Sequence, residues 1–103
     1  MIFAALEYPE DYEDIHYDLV NSLSARFQTI ESGIQGDSWV WIHFGDDKVA
    51  VDTFTSMKHL IKSSRSGSHV ESVIQALQDY YTVRVFPDPE LEAHEPDQNE
   101  ERA

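Results

Sequence analysis

The sequence predicts an α+β two-layer sandwich, a mainly antiparallel sheet of four to five strands with helices packed on one face. Three observations lead there. Residues 37–54, DSWVWIHFGDDKVAVDTF, alternate apolar and polar about a polar centre, the pattern of a half-buried β-hairpin. Residues 10–27 and 68–81 instead repeat their apolar positions at helical spacing. The closing TVRVF at 82–86 is β-branched and aromatic, which suits a last strand.

Taken in order, Ile2 to Glu7 forms a first strand, because a short apolar run followed by Pro9 suits a strand better than the start of a helix. A helix follows over Glu10 to Phe27, with Tyr12, Ile15, Leu19, Leu23 and Phe27 near one face. Glu10, Asp11, Glu13 and Asp14 crowd its positive end and Arg26 lies at the other. That placement accounts for the acidic cluster without a metal or substrate, and His16 falls on the helix flank. Gln28 to Ile34 supplies a second strand with Ile30 and Ile34 inward, bracketed by Gly33 and Gly36.

A two-residue turn at Asp46-Asp47 sets the expected hairpin register. Phe44 then faces Val49, Ile42 faces Val51 and Val40 faces Thr53 on an aliphatic side. The opposite side pairs Trp39 with Phe54, Trp41 with Asp52 and His43 with Ala50. Thr55-Ser56 then caps a short helix carrying Met57, Leu60 and Ile61, which brings Lys58, Lys62 and Arg65 together as the one basic cluster. Ser68 and Glu71 form a capping box for the helix of Val70, Val73, Ile74, Leu77 and Tyr81. The resulting order is β-α-β-β-β-α-α-β. It is reminiscent of the split βαβ, ferredoxin-like arrangement by analogy of element order alone, and such a fold hosts many functions.

Of the 103 residues, 1–86 make a single domain, and 87–103 read as an acidic tail too poor in apolar side chains to offset its ordering entropy. The net charge is −13, with −7 from residues 1–86 and −6 from the last seventeen. Such a balance disfavours direct contact with nucleic acid or an anionic membrane, since phosphate contacts need clustered Lys and Arg. The chain has no cysteine, hence no disulfide, thiolate metal site or thiol nucleophile. MIFAALEYPED reads as neither a signal peptide nor a membrane span, so the expected location is the cytoplasm. His16, His43, His59, His69 and His94 match no zinc spacing, Gly-rich phosphate motifs are missing, and no cofactor is expected.

The function expected from these features is a non-enzymatic protein-interaction module. Its binding face comprises Trp39, Trp41, His43, Asp52 and Phe54, because two indoles and a phenyl exposed together make a patch that soluble monomers rarely carry. The partner is a second copy, making a homodimer, or a protein with a basic surface. The alternative is a small-molecule-binding protein or minor enzyme, with a pocket around Trp41, His43 and Asp52 in which the latter pair handles a proton.

Overall fold

The hairpin forms as the alternation requires, from β3 (Asp37–Phe44) and β4 (Asp47–Asp52), with its register two residues from the expected one. Trp41 faces Ala50, Ile42 faces Val49 and His43 faces Lys48, while Trp39 faces Asp52 and Phe44 faces Asp47. The reason is the turn. Gly45, at φ +64, takes the first central position and Asp46 the second, since glycine adopts a positive φ without steric penalty. A slip of two residues keeps every side chain on its predicted face but changes each cross-strand neighbour.

A computed structural model describes residues 1–92; the remainder of the acidic segment, 93–103, lies outside the described residues. Besides the hairpin it contains β1 (Ile2–Glu7), α1 (Tyr12–Ser24), β2 (Ile30–Gln35), β5 (Leu60–Ser63), α2 (Ser68–Gln78) and β6 (Thr82–Glu90). The architecture is α+β, one six-stranded antiparallel sheet in the order β2-β3-β4-β5-β1-β6 with two helices.

Two expected elements change. The segment expected as a short helix after the hairpin turns at Thr53–Lys58 and then enters the sheet as β5. A helix of seven or so residues is marginal in water, whereas β5 pairs with β4 on one side and β1 on the other and buries Ile61 between them. The sheet therefore has six strands, and the order is β-α-β-β-β-β-α-β. Lys58, Lys62 and Arg65 consequently do not gather on one helix face. Lys58 Nζ donates to the Glu10 carbonyl, Arg65 makes a two-pronged ion pair with Asp47, and Lys62 points into the sheet surface.

The capping box is not formed either. Helix α2 begins with Gly67 as its N-cap, and the Glu71 amide donates to the Gly67 carbonyl instead of to the Ser68 hydroxyl. Because Ser68 already lies inside the first turn, its side chain is past the place a cap occupies. The last strand runs beyond Pro87 and Pro89 to Glu90. Both prolines are accommodated because β6 is an edge strand and its pairing with β1 jumps register between Ile2 and Ala4.

Both helices lie on the same side of the sheet. His16 bonds Ser38, and Phe44 meets Phe27 edge-on and packs against His69, so α1 and α2 sit over the Ser38-Val40-Ile42-Phe44 row. The core lies between these layers: Ile15, Leu19 and Leu23 from α1 and Val70, Val73 and Leu77 from α2 pack on Leu6, Val40, Ile42, Val49, Val51 and Ile61. Each fully buried aliphatic side chain here contributes about 1.5–3 kcal/mol. With the apolar stripe of both helices used on this side, the other face of the sheet is left for the remaining residues.

Candidate functional site

The face away from both helices is built by side-chain parity. Glu31 and Gly33 come from β2, Trp39, Trp41 and His43 from β3, Lys48, Ala50 and Asp52 from β4, Lys62 from β5, and Ala5 and Arg84 from β1 and β6. Trp39 and Trp41 are half-buried, and their rings lie 4.6 Å apart, tilted by 40°. Glycine at position 33 makes this possible. A Cβ there would sit 2.6 Å from Trp39 Cζ2, so only the bare backbone of β2 lets the indole lie flat across the edge strand.

The centre of the face is a hollow of about 410 Å³ whose lining includes Trp41, Lys48, Ala50, Asp52, Phe54, Lys62 and Glu92. Its origin is the register just described. Ala50, the smallest side chain lining the hollow, stands with Trp41 and Lys62 across the strands and Lys48 and Asp52 along its own. Four larger groups thus wall a position that lacks bulk. The Lys48 ammonium lies over the Trp41 ring at 4.1 Å, a cation–π contact, and Lys62 lies 5.8 Å from the centre of the Phe54 ring. Phe54 itself is 49% exposed at the rim.

Asp52 and Lys62 are 3% and 5% exposed, a buried ion pair at 2.6 Å. Burial pushes the Asp52 carboxyl above its usual range, and the hydrogen bond from Lys62 opposes that shift. Lys62 also bonds Glu92, which accepts from the Thr55 hydroxyl, so the end of the described chain is tied to the rim of this face. Such a pair is expensive to bury and breaks at a cost when one partner is removed.

Of the residues expected to bind, Trp39, Trp41, Asp52 and Phe54 do gather on or beside this face. His43 shares the face but not the hollow. The expected His43–Asp52 proton pair does not exist, because the two-residue slip places His43 opposite Lys48, and His43 Nε2 instead meets Glu31 Oε2 at 2.6 Å. General acid-base chemistry by that pair is therefore not supported by geometry. Nor do three or more His, Asp or Glu side chains converge to hold a metal among the described residues.

A second polar cluster lies inside the core, on the helix side. His16 Nδ1 shares a 2.6 Å hydrogen bond with Ser38 Oγ, Ser38 Oγ a 2.7 Å bond with His59 Nε2, and His59 Nδ1 a 2.7 Å bond with Tyr8 Oη. One consistent proton order satisfies all four with both imidazoles neutral. Tyr8 O–H donates to His59 Nδ1, His59 Nε2–H to Ser38 Oγ, and the Ser38 hydroxyl to His16 Nδ1. Burial lowers both histidines, His59 to about 4, and pushes the Tyr8 phenol up to about 12. Ser38 is fully buried, so the flanking imidazoles hold it as a structural link and no substrate reaches its oxygen. His16 is thus buried, against its expected place on the helix flank.

Together these features define a two-layer α+β protein with one sheet face that is aromatic, centred on a hollow and, among the described residues, covered by neither helix. No family model, curated protein or solved structure matches the chain. Among the described residues, no helix is long and apolar enough to cross a membrane.

Proposed function

We propose that this chain is a non-enzymatic interaction module that docks a second copy of itself on the aromatic sheet face. The observation that carries the reading is the one-sided placement of the helices. Both of the chain's tryptophans lie on the face that neither helix covers. Tryptophan and phenylalanine are enriched at interface centres, where they bury a large area at small entropic cost.

Charge sets the orientation in which two copies can meet. The first helix and its approach carry Glu10, Asp11, Glu13, Asp14 and Asp18 without a base, whereas on the other face Lys48 and Arg84 stand among Glu31 and the paired Asp52 and Lys62, so acids and bases are mixed there. Two molecules meeting face to face keep their acidic helices outward and apart. In a protein of charge −13, this is the approach that long-range repulsion opposes least.

Sedimentation of the wild type and of Trp41→Asp tests it. The wild type associates and the variant stays monomeric; a wild type that is monomeric up to near-millimolar concentration refutes the reading. A second reading, a small-molecule site, draws on the hollow at Ala50, with Trp41, Asp52 and Phe54 as walls and His43 outside it.

A further inference from the structure

The hollow at Ala50 and the phenyl ring at its rim point to how two copies would fit. We infer that the copies meet about a twofold axis, with Phe54 of each filling the Ala50 hollow of the other. This arrangement rests on the self-docking reading above and goes beyond it by naming the contact.

Twofold interfaces are isologous: whatever one copy offers, it must also receive. Most faces present either a knob or a hole. Here the two are neighbours on one surface, since Phe54 both lines the hollow and stands 49% exposed beside it. An axis passing between them seats both phenyl rings at once. The Trp41 side of an otherwise largely polar lining suits an aromatic guest. Trp41 offers an indole for ring-to-ring contact, and Lys62 already lies beside a phenyl ring in each copy.

The floor holds the Lys62 ammonium between two carboxylates, Asp52 and Glu92, and the excess negative charge is balanced by Lys48 in the same lining. Lys48 is held differently. Among the described residues its ammonium meets only the Trp41 ring, so it swings to the interface rim as the guest ring displaces it.

Area supports a further detail. Six strands at about 4.8 Å spacing and about 20 Å in length give a projected face of roughly 600 Å². A stable interface takes about 800 Å² from each partner. The loop bordering the face must then contribute, and it carries Phe54 together with Met57, which is 75% exposed.

Light scattering over a concentration series, with circular dichroism to confirm folding, tests the arrangement. Ala50→Leu fills the hollow and Phe54→Ser removes the knob, and each raises the dimer dissociation constant about 30-fold or more while the far-ultraviolet spectrum stays that of the wild type. If Ala50→Leu fails to fold, Phe54→Ser decides alone, because that side chain is half in solvent already. A wild-type dimer that persists in a folded form of either variant overturns the knob-and-hollow contact and leaves self-docking standing. A wild type that never dimerises overturns both.

Discussion

Acidification should weaken this fold through His59, and the size of the effect follows from its burial. The imidazole is fully buried between Tyr8 and Ser38, and desolvation holds its folded pKa near 4, against 6.5 when unfolded. Between those values the unfolded chain binds the extra proton, so stability rises with pH across the window. The contribution is complete above about pH 6.5 and is gone once pH falls below about 4. At about 1.4 kcal/mol per pH unit, the interval is worth about 3 kcal/mol, out of a total stability of about 5–15 kcal/mol. His16 shifts the same way and adds to the loss. Tyr8 stays neutral throughout, since its phenol is pushed up to about 12. Asp52 acts in the opposite sense, because its carboxyl is raised. Comparing the wild type with His59→Gln cancels that background, as both proteins keep Asp52. Urea unfolding of the pair at successive pH values from 7.5 to 4 gives the difference directly. The stability advantage of the wild type should shrink by about 3 kcal/mol toward acid. An advantage independent of pH would refute the argument, since it would mean that His59 titrates alike in the folded and unfolded chain.

Other perturbations read different parts of the account. Gly33→Ala forces a Cβ against the Trp39 indole, which should cost about 1–3 kcal/mol and red-shift tryptophan emission; unchanged emission and melting would mean the ring is not seated on β2. Lys62→Met leaves Asp52 buried without its partner and should cost about 3–5 kcal/mol in denaturant unfolding. Adding Asp52→Leu to that variant should recover much of the loss, and additive losses would show that the pair is not coupled. Leu19→Ala, in the fully buried stripe of α1, should cost about 2–5 kcal/mol by the same assay.

How much of this was legible in the sequence depends on the range of the interaction concerned. The two faces of the hairpin followed from period-2 alternation alone. The register did not, because GDD offers two adjacent places for a two-residue turn and the positive φ of Gly45 selects one. That choice removed the His43–Asp52 pair and put Ala50 beside Trp41, which is how the hollow arises. Strand β5 was hidden because Leu60 and Ile61, flanked by lysines, fit a helix face as well as a strand. Its pairing with β1, distant in the chain, settled the matter. The buried chain from Tyr8 to His16 links residues far apart in sequence and leaves no local spacing to find. One hint was present. His16 stands three and seven residues before Leu19 and Leu23, on the arc that turned out to be buried.

The central claim is that the indole-bearing face is where this molecule meets its own copy, and its two tryptophans report on that face without any label. Emission recorded from sub-micromolar to near-millimolar protein should shift to the blue as the indoles lose water, with Phe54→Ser remaining at the red limit throughout. A spectrum that does not move with concentration, from a folded wild type, would contradict the account.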